Sequence, residues 1–218
     1  MDMKVFNHLS PEYIAIEIPH NNGAYYYCKE INDRIIPKIK TKRNWVLLNV
    51  PGCCYDNSIV FIHNNKNPER YFWMKDYKNL ILVCSNYKTL TYMIEMFPQF
   101  HCIYIPLSVD VEYVKQFKAK RKTRKIGYFG RIEKFPEDWN EGEGIDQIYS
   151  NDREDLLKKV AKYKTVYAIG RCAIEAKILG CEVLPHPGEY EKIDFKVIDN
   201  EEIIPELQRL LNEIDGVN

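Results

Sequence analysis

Short runs of apolar residues alternate along the chain with segments in which apolar residues recur at helical spacing. A short apolar run bounded by Gly, Pro or Asn is typical of a buried strand, whereas recurrence every three to four residues is typical of a helix. In the first half of the chain the pattern predicts strands at residues 13–18, 45–50, 59–62, 80–84 and 101–105, and helices at 25–36 and 88–96. This alternation predicts a parallel β-sheet covered by helices on both faces.

The pattern is interrupted by a basic run at residues 117–125, FKAKRKTRK, and then begins again. Beyond this run it predicts strands at 125–129, 145–149, 165–169, 181–184 and 195–198, and helices at 153–163, 172–179 and 201–214. We therefore expect an α/β protein with two Rossmann-like parallel-sheet domains, residues 1–110 and 111–218, that face each other across a cleft. In such sheets ligands bind beyond the carboxyl ends of the strands.

Composition limits the classes of function that remain. The chain carries 31 basic and 31 acidic side chains, so its zero net charge gives no overall attraction to nucleic acid or to an acidic membrane. No apolar run approaches the ~18 residues of a membrane-spanning helix, and the N-terminus lacks the pattern of a signal peptide. Seven cysteines, several of them within apolar runs, indicate buried thiols in a reducing compartment. We expect a cytoplasmic protein with no transmembrane segment and no metal site.

The segment with the clearest chemistry is residues 165–184, TVYAIGRCAIEAKILGCEVL. It predicts a strand, a Gly-Arg turn, a short helix and a second strand. Gly170 lets a ligand approach the backbone, and the N-terminus of the helix favours an anion. Arg171 suits phosphate, and Glu175 can accept hydrogen bonds from the hydroxyl groups of a ribose. Together these features indicate a nucleotide site, the alternative being an ordinary strand–helix–strand unit in which Arg171 and Glu175 form a solvated ion pair.

This segment resembles the donor-binding motif of GT-B glycosyltransferases, of the retaining type that uses nucleotide sugars. The matching residues are Gly170, Arg171, Ala173, Glu175, Ala176, Gly180 and Val183. The resemblance implies two Rossmann-like domains around a cleft, with the donor on the C-terminal domain. It also implies that Gly170, Arg171, Cys172, Ala173 and Glu175 contact a nucleotide sugar, with UDP or GDP as the nucleotide.

Other parts of the chain resemble the same family. Residues 125–131, KIGYFGR, are similar to the first strand of its C-terminal domain, which implies that Gly130 and Arg131 bind the donor diphosphate and that Lys134 assists. Gly23 corresponds to a glycine beside the donor sugar phosphate, and His63 follows a strand on the acceptor side. The resemblance implies metal-independent chemistry without a cofactor, in which Arg131 stabilises the leaving diphosphate and His63 acts on the acceptor.

The chain is shorter than these relatives, and Tyr167 occupies the position of a second donor-binding glutamate. Three hypotheses therefore stand. The first is a hexosyltransferase that moves a sugar to a glycan, a lipid-linked intermediate or another hydroxyl acceptor. The second is a nucleotide-sugar-binding module without turnover. The third is a glycosyltransferase acting on nucleic acid, with residues 117–125 as the phosphate-binding patch, although a solvated helix end or linker is the usual explanation of such a run.

Overall fold

The computed structural model describes residues 5–6, 23–47, 54–62, 68–130, 144–185 and 196–216, with the backbone alone at 5–6, 23–25 and 68–70. These residues form an α/β protein with two separate parallel β-sheets, which confirms the predicted class. The chain divides into two compact units. The first comprises Met1–His20, Ala24–Leu107 and Asn200–Asn218, and the second comprises Asn21–Gly23 and Ser108–Asp199.

The first unit contains a five-stranded sheet whose neighbouring strands are all parallel. The strands lie in sequence order: β1 (Val5–Phe6), β2 (Asn44–Val46), β3 (Ser58–Ile62), β4 (Ile81–Cys84) and β5 (His101–Tyr104). Every residue of β3 and β4 is buried, as expected for central strands of a parallel sheet. The rings of Trp45 and Phe61 stack with their centroids 6.1 Å apart, and they form the centre of this core.

Helices of three kinds connect these strands. Helix α1 (Gly23–Glu30) continues into a π-helical turn at Ile31–Ile35 and a 3₁₀ turn at Ile36–Lys38. The helical segment covers the predicted helix 25–36, but only its first part has α-helical hydrogen bonds. A 3₁₀ helix, Pro68–Asp76, precedes β4. Helix α2 (Tyr87–Met96) follows β4, and the Asn86 side chain caps it by accepting a hydrogen bond from the Thr89 N–H at 2.8 Å.

The last helix of the chain, numbered α6 (Asn200–Asp215), belongs to the first unit. Its buried face consists of Ile203, Leu207 and Leu211, four residues apart along the helix. The Gln208 side chain pairs with the backbone of Lys40, with distances of 2.6 Å from Lys40 N and 3.0 Å to Lys40 O. The predicted second domain, residues 111–218, therefore includes a helix that packs in the first unit, because periodicity predicts an amphipathic helix without indicating which sheet it covers.

The second unit contains a four-stranded parallel sheet with the order β7-β6-β8-β9. Its strands are β6 (Arg124–Phe129), β7 (Asp146–Gln147), β8 (Tyr163–Ala168) and β9 (Glu182–Leu184), and its helices are α3 (Val111–Lys115), α4 (Arg153–Val160) and α5 (Gly170–Ile178). Helix α4 connects β7 to β8, and α5 connects β8 to β9. Both connections cross the sheet in the same direction, so right-handed crossovers place α4 and α5 on the same face.

Several predicted boundaries differ from the observed ones. The predicted helix 153–163 ends at Val160, because Tyr163 already begins β8. Residues 196–198 form no strand, and Asp199 makes only an isolated bridge with Val109. The predicted strand 13–18 lies outside the described residues.

Candidate functional site

The strand order of the second sheet reverses between two neighbouring strands. The chain leaves β6 toward β7 at one edge and then crosses back to β8 on the other side of β6. Such a reversal opens a crevice at the carboxyl ends of the two strands, where open α/β sheets bind their ligands. Phe129 at the end of β6 is paired in register with Ala168 at the end of β8. Gly130, directly after β6, and Gly170, two residues after the end of β8, therefore follow the ends of neighbouring strands.

Gly170 begins α5 in a conformation that favours glycine. Its φ is +55°, in the left-handed region, and a Cβ at this position would meet no atom of the described residues within 4 Å. The backbone conformation is thus the reason for a glycine here. The preceding residue, Ile169, is extended and provides no capping side chain, and the first turn of α5 contains no acidic residue.

Helix α4 begins differently. Asp152 caps it by accepting a hydrogen bond from the Asp155 N–H at 2.7 Å, and Glu154 and Asp155 lie in its first turn. These carboxylates complement the positive end of the helix dipole. At the start of α5, by contrast, no carboxylate lies at the positive end of the dipole, while an arginine lies near the start of both helices, Arg153 in α4 and Arg171 in α5. The N-terminus of α5 is therefore the more favourable of the two for a bound anion.

Gly130 has a different structural reason for being glycine. A Cβ at this position would lie 2.5 Å from the hydroxyl oxygen of Tyr128 and 2.6 Å from its Cζ atom. Tyr128 is buried, so its ring has little freedom to move aside. A side chain larger than hydrogen at position 130 would therefore clash with this ring.

The two conspicuous charged residues of the motif meet inside the second unit. Glu175 is 1% exposed and Arg171 is 7% exposed, and the Arg171 Nε donates a hydrogen bond to Glu175 Oε1 at 2.7 Å. The alternative of an Arg171–Glu175 ion pair is thus present, and it is buried rather than solvated. An unpaired buried charge strongly destabilises a fold, so each hydrogen bond to this buried carboxylate contributes to the stability of the second unit.

A third residue, Arg153, completes this cluster. Its Nη1 donates a hydrogen bond to Glu175 Oε2 at 3.0 Å, and its Nη2 donates one to Glu175 Oε1. The guanidinium therefore forms a bidentate ion pair with the carboxylate. The Arg153 side chain is 12% exposed. It is the first residue of α4 and reaches Glu175 because α4 and α5 lie on the same face of the sheet. Sequence reasoning missed Arg153, since a contact across 22 residues leaves no mark in local spacing.

Electrostatics keeps Glu175 ionised. Burial by itself raises the pKa of the Glu175 carboxyl, but the charges of Arg153 and Arg171 and their hydrogen bonds outweigh burial and hold that pKa below its ordinary value. The three side chains together carry one net positive charge. We refer to Arg153, Arg171 and Glu175 as the arginine–glutamate triad.

The remaining predicted site residues fall into two groups. Cys172 is half-buried in the first turn of α5, and Ala173 is fully buried. Gly23 begins α1, where the backbone alone is described. The other group, His63, Arg131 and Lys134, lies outside the described residues, so their predicted roles stay predictions.

The thiols agree with the expectation of buried cysteines. Cys28, Cys54, Cys84 and Cys181 are buried, and burial raises the pKa of the Cys84 thiol to about 12. Six cysteines lie in the described part of the chain, and all six are free thiols. Across the described ranges, no helix combines the length and apolar character that crossing a membrane requires.

Comparison with known proteins provides no family assignment: no protein-family profile, no curated protein and no solved structure matches the chain significantly. The residues and the geometry of the second unit are therefore the basis for inferring a function.

Proposed function

We propose that the protein binds a nucleotide sugar at the carboxyl edge of the second sheet and transfers the sugar to a hydroxyl acceptor. The observation that carries the proposal is the reversal of strand order between β6 and β8, so that Gly130 and Gly170 follow the ends of neighbouring strands. The start of α5 suits the donor diphosphate, and at Gly170 no atom of the described residues lies within 4 Å of the Cβ position. The similarity of residues 165–184 to the GT-B donor motif specifies the chemistry.

In this proposal Arg131 and Arg171 stabilise the leaving diphosphate, with Lys134 assisting, and no metal ion takes part. The donor is UDP- or GDP-linked. His63 orients or deprotonates the acceptor hydroxyl from the first unit, which requires the GT-B arrangement of two domains facing a cleft. The acceptor is a glycan, a lipid-linked intermediate or another hydroxyl compound.

A thermal-shift screen against UDP, GDP, CMP, dTDP and their sugars tests the donor. A ligand at about 100 times its dissociation constant adds about 2.7 kcal/mol to the free energy of unfolding. We expect stabilisation by one nucleotide class and a loss of about 1.5–3 kcal/mol of its binding free energy in Arg171→Ala. If no nucleotide or nucleotide sugar stabilises the protein, the proposed donor site is wrong.

Turnover separates an enzyme from a binding module. We expect His63→Ala to lower sugar transfer about 10²-fold while nucleotide affinity stays constant. If the wild-type protein binds the nucleotide sugar but neither hydrolyses nor transfers it, the second hypothesis, a binding module, is correct. Tyr167, which is half-buried on β8 and replaces a donor-binding glutamate, favours that hypothesis.

One arrangement of charge supports nucleic acid as a second candidate partner. The basic run crosses the amino edge of the second sheet, where the N–H groups of Thr123 and Arg124 each donate to the Lys162 carbonyl at 2.9 Å. The register of β6 and β8 places Lys125 beside Lys164, and both are exposed. Like charges side by side repel, and a polyanion relieves that repulsion.

Binding of duplex DNA at increasing salt tests this candidate. If the amino edge binds phosphates, affinity falls steeply with salt and the double variant Lys125→Ser, Lys164→Ser lowers the salt dependence. Affinity for DNA that is equal in the double variant and the wild type eliminates this surface as a nucleic-acid site.

A further inference from the structure

We propose that the ring of Tyr149 stacks on the base of the bound nucleotide, and that the donor site therefore prefers a purine diphosphate such as GDP to UDP. The inference rests on the proposed function, because it concerns the same donor site. It adds to that site a base-binding residue beyond β7 and narrows the class of nucleotide that the site accepts.

Tyr149 is unusually exposed for a large side chain of its unit. It is 51% exposed, and no other large apolar or aromatic side chain in the described part of the second unit reaches a comparable exposure. The residue before it, Ile148, is 4% exposed, so the chain presents one side chain to the core and the next to water. A single exposed ring is common on protein surfaces, so its position in the fold decides what it can bind.

The position of Tyr149 is the carboxyl edge of the second sheet. Strand β7 runs parallel to β6, and the Ile148 N–H continues their ladder by donating to the Tyr128 carbonyl at 2.9 Å. Continuing this register by one residue places Tyr149 beside Gly130. In Rossmann-type units the side chain that contacts the ribose lies about 20 residues beyond the first glycine-rich turn, and Tyr149 has that place relative to Gly130.

The strand order gives the direction in which a nucleotide would extend. Tyr149 lies on one side of the end of β6, and the start of α5 lies on the other, beyond β8. Neighbouring strands are about 4.8 Å apart, so the ends of β7 and β8 are about 10 Å apart. In a nucleoside diphosphate the ribose and a phosphate separate the base from the terminal phosphate. A diphosphate at the start of α5 therefore leaves its base near the end of β7. On the opposite side, the described residues at the end of β9 include no aromatic side chain.

Hydrogen bonds hold both the ring and the backbone of Tyr149. The Tyr149 hydroxyl donates to Asn151 Oδ1, and Lys159 Nζ donates to the Tyr149 carbonyl at 3.1 Å. A tyrosine ring has a large contact area and few rotatable bonds, and a ring that is already held loses little entropy when a ligand binds. Stacking on such a ring is a common way for proteins to bind a base.

The neighbouring polar side chains make stacking the main contact with the base. The Ser150 hydroxyl donates to Asp155 Oδ2 at 2.5 Å, and the Asn151 oxygen accepts from Tyr149. Both side chains therefore have hydrogen bonds within the loop. Stacking accepts any base, because every base has a π-face, and it discriminates by stacking strength. A two-ring purine covers more of a tyrosine ring than a one-ring pyrimidine does, so GDP should bind more tightly than UDP.

Isothermal titration calorimetry with four probes tests the inference. The probes are GDP, UDP, guanosine and inorganic pyrophosphate. The variants are Tyr149→Ala, which removes the ring, and Tyr149→Phe, which keeps the ring and loses the hydroxyl. Tyr87→Ala is the matched control, because it removes a 67% exposed tyrosine that follows a strand of the first sheet.

We expect the wild-type protein to bind GDP about threefold or more tightly than UDP, since stacking strength sets the preference. Tyr149→Ala should weaken the binding of GDP and of guanosine by about fivefold or more and bring the ratio of GDP to UDP affinity close to one. Pyrophosphate affinity should stay at its wild-type value in every variant. Tyr149→Phe and the control should keep wild-type affinities for all four probes. A loss of stability alone changes neither the GDP to UDP ratio nor the contrast between guanosine and pyrophosphate.

Three results would overturn the inference. If Tyr149→Ala binds GDP and guanosine as the wild type does, the base does not stack on this ring. If the wild-type protein binds UDP as tightly as GDP or more tightly, stacking on Tyr149 does not set the choice of base. If Tyr149→Ala weakens pyrophosphate and GDP equally, Tyr149 supports the shape of the edge and does not contact the base.

The same titrations separate failure of this inference from failure of the proposed function. A wild-type protein that binds GDP and UDP without any contribution from Tyr149 supports the nucleotide proposal and contradicts the stacking role. A wild-type protein that binds guanosine as tightly as GDP, and loses both in Tyr149→Ala, supports the stacking role and contradicts the diphosphate site at the start of α5. Binding of none of the probes contradicts both.

Discussion

Replacement of Glu175 by alanine should destabilise the second unit more than any exposed charge deletion. The carboxylate is 1% exposed and accepts hydrogen bonds from two arginines that are themselves 7% and 12% exposed. Its removal leaves two little-exposed guanidinium groups without their shared anion. Breaking a buried ion pair by removing one partner typically costs about 3–5 kcal/mol. We expect a loss near the lower end, about 3 kcal/mol, because Arg153 can turn toward water from its position at the start of α4.

A matched control is available on the neighbouring helix. Glu154 forms an i,i+4 ion pair with Lys158 at 3.3 Å, with both side chains more than half exposed. Exposed helical pairs of this kind contribute about 0.3–0.5 kcal/mol. Each variant removes one glutamate carboxylate from the second unit. The difference between their losses of stability therefore measures the effect of burial.

Native-state hydrogen exchange is the appropriate assay, because two compact units can unfold separately and a single melting temperature then has no clear meaning. Peptides that cover β8 and α5 report on the second unit. A loss of 3 kcal/mol corresponds to exchange that is about a hundredfold faster, against about twofold in Glu154→Ala. A change below about 1 kcal/mol in Glu175→Ala would refute the assignment of the triad as a buried electrostatic cluster.

The ionisation of Glu175 makes the stability of the second unit depend on pH. The pKa of Glu175 is lower in the folded protein than in the unfolded chain, where it has its ordinary value of 4.5. The stabilisation is therefore complete above the unfolded pKa and is lost as pH falls through the folded pKa. The difference in stability between wild type and Glu175→Ala should be constant near neutral pH and shrink below about pH 4.5. A difference that grows as pH falls would contradict the sign of the shift.

Two further predictions concern backbone conformation and core packing. Gly170→Ala and Gly144→Ala should each lose about 1–2 kcal/mol of stability, because both glycines have positive φ and a Cβ would meet no atom of the described residues within 4 Å. Only Gly170→Ala should also weaken nucleotide binding in a thermal-shift titration; equal ligand affinity in both variants would place the ligand elsewhere. Leu207→Ala should destabilise the first unit by about 2–5 kcal/mol, because Leu207 is fully buried on α6. Hydrogen exchange should become faster in β3 and β4 and stay unchanged in the second unit. A comparable loss confined to the second unit would contradict the assignment of α6 to the first.

Continuous apolar runs predicted the strands well where burial alone determines structure. β3 and β4 are buried along their whole length, so their sequences are apolar and their predicted positions differ by at most one residue from those observed. The 3₁₀ helix Pro68–Asp76 was not predicted, because its residues follow neither a helical nor a strand period. The two-residue strand β1 is too short to produce a pattern.

The candidate site was predicted in part. The turn at Gly170 and Arg171 and the helix that follows were predicted from sequence, whereas the ion pair of Arg171 with Glu175 was predicted only as an alternative and as a solvated pair. The contribution of Arg153 depends on two helices lying side by side on one face, which is a property of the strand order. Local spacing carries no information about strand order. Arg153, the second arginine partner of Glu175, and the burial of the carboxylate are therefore seen only in the folded structure.

Strand order also explains why the second unit is the better candidate for the donor. In the described part of the first sheet the strands run in sequence order from β1 to β5, so right-handed connections between them all pass over the same face and no crevice forms between diverging loops. In the second sheet the connection after β6 goes one way and the connection after β8 goes the other. Open α/β sheets bind their ligands beside such a pair of strands, whose connections go in opposite directions, and β6 and β8 are such a pair. This asymmetry is the reason for proposing the donor site on the second unit rather than on the first.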